Sequence, residues 1–132
     1  MTEALTMILP EDVRDVWPTV RGRIAAIQEA CDEPWLPEDV FNELVNAQAF
    51  LWGTEDLKGF LILQVPPQPY GRELHCWICC NETGEPPLAY WEQLLGIARD
   101  NQCVRITFET DRKGFQRAIP GLRHRHFYSA EV

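Results

Sequence analysis

The sequence predicts a mixed α/β domain: a central, mostly antiparallel sheet with helices on both faces, in the order β-α-α-β-β-β-α-β-α-β. Three observations carry this. Apolar residues first recur every three to four positions, then gather into short runs separated by Gly/Pro-rich turns, then return to helical spacing. The apolar share is 45% and the charged share 24%, ordinary for a globular protein. The 132 residues suit one domain, 1–132, with a single core.

Taken in order, Leu5 to Leu9 (LTMIL) reads as a short strand stopped by Pro10. From Glu11, the stripe Val13, Val16, Trp17, Val20, Ile24, Ile27 and Cys31 marks one face of an amphipathic helix, which Pro18 is expected to restart or kink. Pro37 suits the first turn of a second helix, with Glu38 and Asp39 at its positive end and Val40, Phe41, Leu44 and Val45 on its buried side. "AFLWGT", "GFLILQV" and "RELHCWICC", separated by "EDLKG" and "PPQPYG", read as consecutive antiparallel strands. Pro86 and Pro87 open a third helix carrying Leu88, Trp91, Leu94, Leu95 and Ala98 on one face. "VRITFE" follows as a strand, "KGFQRAI" as a short helix and "HFYSAEV" as a last strand.

The net charge of −8 argues against direct nucleic-acid binding, since a phosphate backbone selects Lys and Arg. No apolar run approaches the roughly 20 residues that span a bilayer, and "MTEALTMILPED" lacks the basic start and long apolar stretch of a signal peptide. A cytoplasmic location is expected. Charge is uneven: residues 1–60 hold 12 acidic and 4 basic side chains, residues 61–132 hold 8 of each. The late cations Arg112, Lys113, Arg117, Arg123 and Arg125, with His124 and His126 beside them, form either a solvated face or a docking surface for an acidic partner.

Five cysteines, three of them in "HCWICCN", raise the question of thiol or metal chemistry. On a regular strand Cys76 and Cys79 point to opposite faces, Cys76 and Cys80 share one, and His75 shares the other with Cys79. Thiols on opposite faces neither bridge nor share a tetrahedral zinc, and no second CxxC or paired His motif is present. The cysteines are therefore read as small buried hydrophobes, with no metal site.

The order of elements is similar to the GNAT acetyltransferase fold. The stretch "WEQLLGIARDNQCVRITFETDRKGFQRAIPGL", Trp91 to Leu122, together with "FLWGT" and "GFLILQV", resembles a group of small GNAT-like proteins encoded by tailed bacteriophages. That resemblance implies an acetyl-CoA site at a glycine-rich, basic loop between the fourth strand and the next helix. Here the loop is "NETGEPP": Thr83 and Gly84 are the residues it leaves for a donor, Glu82 and Glu85 repel a pyrophosphate, and two prolines delete N–H donors. A tyrosine that many relatives use in the late helix to protonate the leaving thiolate is absent between Lys113 and Gly121, where Arg117 takes the nearest register. Tyr128 lies on the last strand. Glu73 and His75, on the fourth strand, are the candidate general bases.

Two functions follow from the resemblance. The first is a catalytically degenerate GNAT-fold protein that binds no cofactor. It would act through other phage or host proteins as a virion or morphogenesis component, in the host cytoplasm or assembled into the particle. Its docking surface would be Arg112, Lys113, Arg117, Arg123 and Arg125. The second is an active N-acetyltransferase that takes acetyl from acetyl-CoA to an amine, with acidic residues such as Glu38, Asp39, Glu43, Glu55 and Asp56 attracting a cationic acceptor. The reading of the cysteines makes its own forecast. After dialysis against a chelator-free buffer containing zinc and then against buffer alone, native mass spectrometry is expected to find no stoichiometric zinc.

Overall fold

A computed structural model describes residues 4–66, 68–81, 90–108, 121–122 and 130. Its elements are β1 (Thr6–Ile8), a 3-10 turn (Pro10–Asp12), α1 (Val13–Cys31), α2 (Pro37–Val45), β2 (Phe50–Gly53), β3 (Gly59–Gln64), β4 (Glu73–Asn81), α3 (Trp91–Asp100) and β5 (Arg105–Phe108). The predicted order holds through the eighth regular element. The expected helix at "KGFQRAI" lies outside the described residues, as do the strand at "HFYSAEV" (Ala130 apart) and the opening of the third helix at Pro86 and Pro87.

The sheet order is β1-β2-β3-β4-β5. The first four strands pair antiparallel, and β4 and β5 pair parallel, Glu73 with Arg105 through Cys76 with Phe108. Parallel pairing requires a crossover, and α3 supplies it. Helices then cover both faces. On one, Val13, Val20 and Ile24 of α1 and Val40 and Leu44 of α2 pack on Leu51, Phe60, Ile62 and Ile78. On the other, Leu94, Ile97 and Ala98 of α3 pack on Leu61, Leu63, Leu74 and Cys76. The run "GFLIL" is apolar at every position because β3 is buried on both sides.

Local chemistry sets the boundaries. α1 runs through Pro18 without restarting, and it ends where Asp32 adopts the left-handed conformation, φ 49°. At the start of α2 the Leu36 N–H donates to Asp39 Oδ2 at 2.8 Å, satisfying a backbone donor that the helix leaves open. The β2–β3 hairpin is tied by Thr54, whose hydroxyl reaches Asp56 Oδ1 at 2.9 Å and accepts the Gly59 N–H at 3.2 Å. Arg23 clamps this turn to α1. Its guanidinium donates to the carbonyls of Leu57 and Lys58 and lies 4.9 Å from the Phe60 ring centroid.

One departure from regular strand geometry matters most. Ile62 pairs with Ile78, but Leu63 pairs with Cys76, so Trp77 is an extra residue in β4. Cys79 consequently packs on the α3 side beside Cys76, while Trp77, Ile78 and Cys80 face α1 and α2. This corrects the expectation from strict alternation. Cys76 and Cys79 share a face, Cys76 and Cys80 do not, and His75 and Cys79 are on opposite faces. The bulge adds one residue and so inverts the alternation beyond it. Trp77 meets Trp35, from the α1–α2 connection, edge to face at 5.7 Å.

At the first strand, the Gln93 side chain of α3 replaces a neighbouring strand. Its Oε1 accepts the Leu5 N–H at 2.9 Å and its Nε2 donates to the Leu5 carbonyl at 2.6 Å. Gln93→Leu leaves both half-buried Leu5 groups without these partners and is expected to cost about 2 kcal/mol in urea unfolding.

Candidate functional site

Alternation on two neighbouring strands builds the site. In β4, Leu74 and Cys76 turn toward α3, so Glu73 and His75 between and before them turn toward the α2 side. In β5, Ile106 and Phe108 pack on the α3 cluster, placing Arg105 and Thr107 on the same side as Glu73 and His75. The register sets these four opposite one another, Glu73 with Arg105 and His75 with Thr107.

Both pairs are in contact. Arg105 Nη1 donates to Glu73 Oε1 at 3.2 Å, with the Glu73 side chain 10% exposed. The same guanidinium lies 5.1 Å from the ring centroid of Tyr70, which stands out into solvent just before β4. His75 Nδ1 is 2.8 Å from Thr107 Oγ1.

The row continues across the sheet. Gln64 of β3 is the register partner of His75, and its Nε2 donates to both carboxylate oxygens of Glu43 of α2, at 3.3 Å each. Glu43 is half-buried. Its desolvation holds its carboxyl above the ordinary range, Asp39 one turn earlier adds to the rise, and the Gln64 hydrogen bond opposes it. Two carboxylates, an imidazole, a guanidinium and a hydroxyl thus stand along one end of the β3–β4–β5 surface, two residues before the bulge. These groups can donate and accept protons side by side. Among the described residues no group of three His, Cys, Asp or Glu is placed to bind a metal.

Cys76 takes no part in it. Cys76 is on the opposite face, and burial, with Cys79 beside it, pushes its thiol up to about 12, so it is not a thiolate nucleophile near neutral pH.

Of the residues singled out from the sequence, Glu73 and His75 lie together in this row. Glu43 joins them. Glu38 instead pairs with Arg21 on the surface at 2.6 Å, and Asp56 serves the hairpin. Thr83 and Gly84 lie outside the described residues, and so do Arg112, Lys113, Arg117, Arg123 and Arg125. Sequence reasoning missed Arg105, Thr107 and Gln64. The signal was present: "ELHC" and "RITF" each alternate polar and apolar residues, and only a parallel register sets the polar members side by side.

An acetyl donor in the expected place would meet the β4–α3 connection, of which the described part is the start of α3. There Tyr90 makes no side-chain cap hydrogen bond, and Glu92 stands in the first turn.

Neither protein-family profiles nor curated protein sequences match this chain. Solved structures do. An aminoglycoside acetyltransferase from an uncultured soil metagenomic sample, solved with sisomicin, superposes with a TM-score of 0.67 at 11% identity, covering 97% of this chain and 95% of its own. The ribosomal-protein-alanine N-acetyltransferase of Brucella melitensis gives 0.65 at 15% identity, over 100% and 98%. A predicted acetyltransferase from Clostridium acetobutylicum, solved with acetyl-CoA, gives 0.65 at 15% identity, over 97% and 94%. The fold is GNAT-like. These likenesses span whole chains and establish the architecture; none bears on a phage origin.

The raised carboxyl of Glu43 has a consequence for stability. A carboxyl whose folded pKa is raised favours folding at low pH, and the advantage is lost as pH rises through the folded value. Glu43→Gln removes the charge that the folded state disfavours. The variant is expected to melt roughly 1–3 °C above wild type at pH 7, with the gap closing toward pH 4.

Proposed function

We infer that the protein is an acetyl-CoA-dependent N-acetyltransferase acting on an amine of a protein or small molecule. The observation that carries this is the polar row on β4 and β5, two adjacent cross-strand pairs offering His75 and Glu73 within a GNAT-like fold. An amine reaches a thioester carbonyl only after losing a proton, and a group on β4 is suited to take it. Glu43, Glu73 and the acidic first half of the chain suit a cationic acceptor. The donor supplies the activated acetyl group; this chain's residues orient the acceptor and hold its proton.

A second reading rests on the sequence of residues 82–87. Two glutamates and two prolines where a pyrophosphate is expected favour a GNAT-fold protein without transferase activity, docking an acidic partner through Arg112, Lys113, Arg117, Arg123 and Arg125. A virion or host-cytoplasm role belongs to that reading, and the fold likenesses lend it no support. Among the described residues no helix is long and apolar enough to cross a membrane.

Ligand-linked melting separates the two. Acetyl-CoA at a hundred times its Kd is expected to stabilise the protein by about 2.7 kcal/mol, and thiol release should appear with a primary amine acceptor such as a lysine peptide. No shift in Tm at millimolar acetyl-CoA would remove the transferase reading and leave the docking one.

A further inference from the structure

Two of the four exposed large hydrophobic residues among those described, Tyr70 and Val104, adjoin at the end of the sheet where β4 and β5 begin. Tyr70 is 59% exposed and Val104 63%. A single exposed apolar side chain is ordinary on a surface; these two are set apart by how they are held. The Val104 N–H donates to the Arg72 carbonyl at 2.8 Å, one rung before Glu73 pairs with Arg105. The Val104 side chain then lies on Gly71. A Cβ at that position would stand 2.8 Å from Val104 Cγ2, and the φ of 125° is one that residues with side chains rarely adopt. Gly71 thus lets the end of the β3–β4 connection and the start of β5 approach closely, with Tyr70 next to the contact.

Arg105 completes the surface. Its guanidinium lies 5.1 Å from the Tyr70 ring centroid and donates through Nη1 to Glu73 Oε1 at 3.2 Å, while the Arg105 side chain stays 36% exposed. A guanidinium carries five N–H donors in a planar fork, and among the described residues Glu73 takes one of them. Ring and carboxylate hold the fork in one orientation, so less side-chain freedom is lost when its other donors meet a partner. Glu73 offsets the charge of Arg105. Arg72, exposed and in no ion pair with a described residue, restores a positive balance.

We propose that Tyr70, Gly71, Val104 and Arg105 form a docking surface for an acidic segment of a partner protein, an extended peptide that sets a carboxylate on the Arg105 fork and an apolar side chain against Tyr70 and Val104. Charge complementarity selects this occupant. The planar fork matches a carboxylate, whereas a cationic segment would meet Arg72 and Arg105. Tyr and Arg beside an apolar contact are also the residues on which protein interfaces concentrate their binding energy. The proposal goes beyond the acetyltransferase reading, holds whether or not acetyl-CoA binds, and uses none of the cations from Arg112 to Arg125.

A second copy of this chain is the competing occupant, because residues 1–60 hold 12 acidic and 4 basic side chains. The net charge of −8 on each copy opposes that pairing, and a short segment carries far less of the repulsion.

The test uses the full chain. A displayed library of random dodecapeptides is selected on wild type, and the enriched sequences are synthesised and titrated by calorimetry and by 15N amide shifts. Enriched peptides are expected to carry Asp or Glu next to an apolar or aromatic residue, to bind more weakly as salt is raised, and to shift the amides of Tyr70, Gly71, Val104 and Arg105. Tyr70→Ala, with folding checked by its amide spectrum, should weaken binding roughly 5- to 30-fold, and Tyr70→Phe should keep the wild-type affinity. Arg105→Lys keeps the charge without the fork and should weaken binding roughly 3- to 10-fold. Leu36→Ser, at an exposed apolar residue outside the surface, should change nothing.

Where Arg105→Lys fails to fold, the two Tyr70 variants carry the test by themselves. No enrichment, enrichment without acidic residues, or an affinity that Tyr70→Ala leaves within about twofold of wild type overturns the proposal. Concentration-dependent dimerisation in sedimentation velocity that Tyr70→Ala abolishes overturns the peptide as occupant in favour of a second copy.

Discussion

Trp77 stands opposite no residue of β3, because Ile62 pairs with Ile78 and Leu63 with Cys76. Each strand of a two-faced sheet must send apolar side chains both ways, and β4 does so by different rules on either side of this residue. Before it, Leu74 and Cys76 turn to α3 and the polar residues turn away. After it, Ile78 and Cys80 turn to α1 and α2, and Cys79 to α3. Without the extra residue, Ile78 would leave Phe60, Ile62 and Leu51 on the α1–α2 side. Fully burying such a side chain contributes roughly 1.5–3 kcal/mol, enough to fix the bulge in place. Trp77 itself spans toward the α1–α2 connection through Trp35, so the irregularity is held from outside the sheet as well.

The polar row depends on that constraint. Glu73 and His75 can both point away from α3 only while Leu74 and Cys76 point toward it, and the phase of that half-strand is set against the other half at Trp77. Burial then gives each polar group a partner. Glu73 is nearly covered and meets a guanidinium; His75 meets a hydroxyl; Gln64 meets the half-buried Glu43. Among the described residues no buried side-chain nitrogen or oxygen lacks a hydrogen bond.

Much of the fold was legible in the residues. The helical stripe from Val13 to Cys31, Pro37 at the first turn of α2, and three apolar runs parted by Gly and Pro each report a single local period, and each element appeared where its period placed it. The faces of "HCWICCN" were not legible. A bulge arises from pairing with β3, and nothing within those seven residues marks Trp77 as the unpaired one. For the same reason the cysteine pairs inferred from alternation came out inverted. Half the site was legible: Glu73 and His75 stand out as polar residues in an apolar strand. Arg105 and Thr107 look like ordinary outward-facing residues of "VRITFE" until a parallel neighbour lies beside them.

What the sequence determined by itself is the succession of elements through β5, because periodicity and turn chemistry act over a few residues. The tertiary structure decided which side chains meet. Register and the bulge are long-range pairings, α3 makes β4 and β5 parallel neighbours, and only that neighbourhood separates a carboxylate tied to arginine from an imidazole resting on a threonine hydroxyl.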